Sequence, residues 1–118
     1  MDATRPRLNI TPERAIAELE SSLTMTDSDV ARALGISPRS LRRWSSGESH
    51  PQRESRTNLA RLVALSGRLE ETFGKHADEW LEADSRYLGG LKPIEALRAG
   101  RMDRVEDALE ALDSGAVL

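Results

Sequence analysis

An all-α fold is the reading of this 118-residue chain, and three observations carry it. Apolar residues recur at helical spacing through most of the sequence, and no stretch alternates apolar and polar residues as a half-buried strand would. Helix starts and stops are written out as Thr-Pro, Ser-Pro and Thr-Asp steps on one side and glycines on the other. The expected architecture is an N-terminal helical bundle joined by one long helix to a small C-terminal helical domain. The expected divisions are a flexible arm over 1–10, a front domain over 11–68 and a rear domain over 69–118.

Residues 1–10 show no periodicity and carry Pro6, so they read as the arm, with Arg5 and Arg7 the only groups there that could reach DNA. Thr11 and Pro12 form an N-cap and first-position pair, and Ile16, Leu19 and Leu23 give the following helix a packing face. Thr26 is the next N-cap, with Asp29 three residues on to complement the helix start. The helix beginning at Asp27 carries Val30, Ala31 and Leu34 on its apolar side, and Gly35 supplies the positive φ just past its end. Ile36 fills the core, Ser37 caps a second helix with Pro38 at its first position, and that helix must stop by Gly47. At 100° per residue, Leu41 and Trp44 share one side of it, while Arg39, Arg42, Arg43 and Ser46 gather on the other. Two short helices with this cap, turn and core spacing make a helix-turn-helix.

A long helix is expected over Glu54–Phe73, ended by Gly74. Its Leu59, Leu62, Val63, Leu65, Leu69 and Phe73 span an arc of roughly 160°, wider than one neighbour needs, so this helix should be packed from two sides. Beyond it come a short helix over His76–Ala83, a loop DSRYLGGLK, a helix opened by Pro93, and a final helix over Met102–Leu112. Met102, Val105, Ala108, Leu109 and Leu112 form one stripe of that last helix. Short helices bury little surface alone, so these need the long helix, a second subunit or a partner to cover them.

Composition narrows the function. There are no cysteines, which removes disulfides and thiolate metal sites, and no apolar run approaches the length of a membrane span. The N-terminus lacks a signal-peptide core, so a cytoplasmic location without membrane contact is expected. The net charge is −3, but it is unevenly laid out. From Val30 to Leu62, Arg32, Arg39, Arg42, Arg43, Arg53, Arg56 and Arg61 face only Glu48 and Glu54, whereas from Glu70 onward acids outnumber bases two to one. That asymmetry suggests a basic working surface in front and another task behind.

In a helix-turn-helix the second helix enters the major groove, where Arg reaches guanine edges or phosphates. Ser37, Arg39, Ser40, Arg42, Arg43 and Ser46 are the expected DNA contacts. The same residues also fit a solvated basic face on a helix hairpin. Catalytic chemistry is missing: His50 and His76 have no companions at metal spacing, Gly89 and Gly90 follow no strand, and no phosphate loop or nucleophile set occurs. Neither enzyme activity, a metal nor a cofactor is expected.

The rear segment WLEADSRYLGGLKPIEALRAGRMDRVEDALEALDSG resembles the toxin-binding domain of Xre/MbcA/ParS-type antitoxins. The positions carrying the likeness are Trp80, Leu81, Leu88, Gly89, Pro93, Ile94, Leu97, Gly100, Val105, Leu109, Leu112 and Gly115. The segment EADSR after Leu81 departs from the Pro-Asn step common in that family. The front half, including SPRSLRRWSSGESHPQR, is similar to the Xre-like helix-turn-helix of the same antitoxins.

The resemblance implies an antitoxin of a type II system that binds and inhibits a RES-domain toxin. Such a toxin is an NAD-consuming enzyme working as an NAD phosphorylase, an NAD glycohydrolase or an ADP-ribosyltransferase. It implies toxin contacts at Trp80, Leu81, Arg86, Tyr87 and Leu88, and a C-terminal end, Gly115, Ala116, Val117 and Leu118, that blocks the toxin's active site. It also implies a homodimer within a toxin–antitoxin hetero-oligomer, and autoregulation through binding of promoter DNA. Two other readings of the residues stand beside it: a stand-alone helix-turn-helix repressor whose rear helices dimerise it, and an adaptor whose arginines meet the acids of a protein partner.

Overall fold

The structure, a computed structural model, describes residues 8–115, and every element among them is helical. In chain order these are α1 (Pro12–Ser22), α2 (Asp27–Leu34), α3 (Pro38–Ser45), α4 (Arg53–Phe73), a 3-10 turn (Gly74–His76), α5 (Ala77–Leu81), α6 (Pro93–Arg98) and α7 (Met102–Asp113). The expected arm falls mostly outside the described residues. Of it, Leu8 and Ile10 pack half-buried against the core.

Local chemistry sets the front helices. The Thr11 hydroxyl accepts from the Arg14 backbone N–H at 3.3 Å, with Pro12 opening α1. At the start of α2 the capping is reciprocal: Thr26 Oγ1 accepts from the Asp29 N–H and Asp29 Oδ2 accepts from the Thr26 N–H, each at 3.1 Å. Gly35 ends that helix at φ +70°, and the Ile36 N–H turns back onto the Ala31 carbonyl at 3.0 Å. Ser37 Oγ then accepts from the Ser40 N–H at 3.1 Å to start α3. Leu41 and Trp44 are buried in the core beside Val30, Ala31 and Leu34, as their spacing predicts.

α4 begins one residue earlier than expected and runs to Phe73. Leu59, Leu62, Leu65 and Leu69 are buried along it, and it packs against α1, α2 and α5, so the wide apolar arc serves more than one neighbour. Gly74 takes φ +57°, but the chain does not break there; it passes through the 3-10 turn directly into α5, which stops at Leu81 rather than Ala83.

The rear helices fold back instead of trailing from the end of α4. α6 lies on α2, and α7 lies on α6. One hydrophobic core runs from Ala15, Ile16 and Leu19 through the helix-turn-helix to Leu97, Val105 and Leu109. The expected division at 68/69 therefore falls inside α4, between buried Leu65 and Leu69 on a helix that serves both halves. Polar ties follow the same seam. Arg98 Nε donates to Asp29 Oδ1 at 2.8 Å, Thr24 Oγ1 donates to Asp78 Oδ2 at 2.6 Å, and Arg61 pairs with Glu106. Arg68 reaches Asp113 at 3.0 Å.

Candidate functional site

The front face is built on α3. Ser37 caps it and also donates from its hydroxyl to Ser40 Oγ at 3.1 Å, which holds both serines at the helix start. Burial of Leu41 and Trp44 fixes the rotation of α3, so Arg39, Arg42, Arg43 and Ser46 are all exposed on the opposite side. Arg39, Arg42, Arg43 and Ser46 line an open concavity of about 540 Å³, and Glu48 completes its wall. Five of the six expected DNA contacts are exposed; Ser40 is half-buried. Three guanidinium groups on one side of an eight-residue helix can engage successive phosphates or base edges.

The second face is a loop, residues 83–92, between α5 and α6. It is tied to itself by backbone bonds: the Ser85 N–H donates to the Leu91 carbonyl at 3.0 Å, and the Gly90 N–H to the Ser85 carbonyl at 2.7 Å. Gly89 and Gly90 take φ of +70° and +93°, which lets the chain reverse in so short a span. Leu88 points into the core and anchors the loop. Tyr87 and Leu91 are 43% and 51% exposed, the large hydrophobic side chains left open to solvent among the described residues. Arg86 stands exposed beside them.

Of the other expected contacts, Leu81 and Leu88 are buried in the chain's own core, so their side chains hold the loop's base rather than offering surface. Trp80 is half-buried and stacks on Phe73, ring centroids 5.1 Å apart and planes inclined by 20°. Gly115 follows α7 at φ +81°, whereas Ala116, Val117 and Leu118 lie outside the described residues. Leu91 was missed by sequence reasoning, because an isolated leucine next to a Gly-Gly step reads equally well as core.

Residues 68–115 match the family described as the antitoxin Xre/MbcA/ParS C-terminal toxin-binding domain. A probable mycobacterial cidal antitoxin of Mycobacterium tuberculosis is 32% identical over 113 residues, which cover 91% of this chain and 96% of that protein. The chain belongs to the Xre/MbcA/ParS antitoxin family. The mycobacterial cidal antitoxin MbcA of M. tuberculosis is similar too, 31% identical over 94 residues, 79% of this antitoxin and 83% of the relative. Among solved structures, a chain in the crystal structure of the M. tuberculosis MbcT-MbcA toxin-antitoxin complex superposes with a TM-score of 0.67 at 28% identity, covering 94% of this antitoxin and 100% of that chain. The relatives are antitoxins, and this antitoxin is not an enzyme.

Proposed function

We propose that this antitoxin binds a RES-domain, NAD-consuming toxin through its rear helices and shuts the toxin's active site with its C-terminal end, Gly115, Ala116, Val117 and Leu118. The observation that carries the reading is the match over 68–115 to a domain described as toxin-binding, together with the place of Tyr87 and Leu91, the large hydrophobic side chains open to solvent among the described residues, within that span. A pre-tied loop suits docking, because little conformational entropy remains to be lost when a partner covers it. Tyr87 and Leu91 would be the anchors, Arg86 and the Trp80–Phe73 stack their border, and Leu81 and Leu88 the support beneath. The similar crystal structure is that of a toxin–antitoxin complex, which favours the same kind of partner here. The toxin would be an NAD phosphorylase, an NAD glycohydrolase or an ADP-ribosyltransferase. Co-expression with the RES-type product of the adjacent gene should restore growth, hold cellular NAD constant and yield a complex on purification. Failure of the two to associate would overturn the reading. Removal of residues 116–118 should let NAD consumption resume while the complex persists; full inhibition by the shortened chain would remove the plug and leave the docking.

The exposed arginines of α3 favour a second role, binding of the antitoxin's own promoter DNA as a homodimer inside a cytoplasmic toxin–antitoxin hetero-oligomer. Phosphate contacts release counterions, so affinity for the upstream duplex should fall steeply with salt and collapse when Arg39 and Arg42 become Ala. A gel shift across salt concentrations tests it, and no shift at low salt would count against it.

A further inference from the structure

Glu48 stands where a nucleic-acid face should carry no negative charge. It follows the recognition helix, and its backbone N–H donates to the Arg43 carbonyl at 2.9 Å, with Gly47 at φ +78° turning the chain back. A Cβ on Gly47 would approach Glu13 Oε2 to 3.3 Å, so this turn is confined on its far side as well. The backbone of Glu48 is thereby held against the last turn of α3, and its exposed carboxylate stands 3.7 Å from Arg43 Nε, in the wall of the concavity that Arg39 and Arg42 also line. A carboxylate at a helix C-terminus opposes the macrodipole, and a pair this exposed adds little to folding. Its effect is on a polyanion approaching the face.

We propose that Glu48 is an affinity-setting residue that keeps Arg43 neutralised when the antitoxin lies on DNA, leaving Arg39 and Arg42 to carry the phosphate contacts. The inference rests on the DNA-binding role proposed for α3 and is tested apart from it. In the bound state an arginine already paired with Glu48 displaces no condensed counterion, so it should be silent in the salt dependence.

Binding of the full-length antitoxin to a random-sequence duplex is measured between about 50 and 200 mM salt, for the unaltered chain, Glu48→Gln and the double variant that also carries Arg43→Ala. Each freed phosphate contact steepens the slope of log K against log salt by about 0.9, so Glu48→Gln should lose affinity about threefold more than the unaltered chain across that range. Changing Arg43 to Ala in the same chain removes the freed guanidinium without leaving an unpaired carboxylate, so the double variant should return to the slope of the unaltered chain. Circular dichroism checks that these exposed positions leave the fold intact. An unchanged slope for Glu48→Gln, or a double variant as steep as Glu48→Gln, overturns the proposal while DNA binding stands. Absence of salt-dependent binding by every variant overturns the DNA-binding role, and this inference with it.

Discussion

Asp29 carries two loads with its two oxygens: one closes the first turn of α2 on the Thr26 N–H, the other takes Arg98 from α6. Burial alone would raise its pKa, yet the hydrogen bonds from Arg98 and Thr26 together hold the carboxyl below its ordinary 3.8. The stability this contributes is complete above 3.8 and is lost as pH falls through the lower, folded value. Asp29→Ala removes the cap and leaves Arg98 without its partner, and should cost about 2 kcal/mol by chemical denaturation at pH 7. Glu20 has the opposite sign. Burial, then the neighbouring Asp27 carboxyl, raises it from 4.5 to about 7, so its contribution is full below 4.5 and disappears as pH rises through about 7. Thermal melts of Glu20→Gln should accordingly show a flatter pH dependence across that window than melts of the unaltered chain. Half of the role of Asp29 was legible in the residues themselves, since a cap three positions from Thr26 is a local matter. Arg98 is 69 positions away, and no short-range pattern names it as the partner.

At the scale of elements, starts were easier to read than stops. Thr11, Thr26 and Ser37 each cap where expected, because a hydroxyl meeting an N–H three residues ahead is decided within one turn. Gly74 has positive φ too, but whether a chain halts or bends at a glycine depends on what the next helix can bury, and Ala77 and Leu81 find the core. Gly35 offers the cleanest check on such positions: nothing lies within 4 Å of where its Cβ would be, so the cost of Gly35→Ala is conformational alone. At φ +70° it should destabilise by about 1 kcal/mol, seen as a lowered denaturation midpoint. The 83–92 loop makes a different prediction. Tyr87→Ala and Leu91→Ala remove side chains that lie outside the core cluster, so melting temperature should change little while affinity for the toxin falls by about tenfold or more. Arg86 and Tyr87 are named as contacts by family resemblance, not by any physical signal in their neighbours, whereas the exposure of the basic side of α3 followed from helical periodicity alone.

For the whole molecule, continuity of the core outranks the division into front and rear that charge and motif suggest. Leu65 and Leu69 lie on either side of the expected boundary, and α6 covers α2. A fragment ending at residue 68 would strip the face of α2 that α6 covers and the part of α4 that α5 packs against. It should show no cooperative thermal transition, while the full chain melts in one step by both circular dichroism and tryptophan fluorescence. Composition could not foretell this arrangement, since which side of α2 receives α6 is decided by contacts across most of the chain. The Arg32 carbonyl lies 3.7 Å from where a Cβ on Gly100 would sit, so the turn after α6 rests directly on α2 backbone. Recombination therefore has a constraint that motif boundaries do not reveal. A foreign helical hairpin spliced onto these rear helices would inherit a mismatched seat unless Asp29 and the backbone path at Arg32 travelled with it, so the exposed side of α3 is better altered by resurfacing it in place.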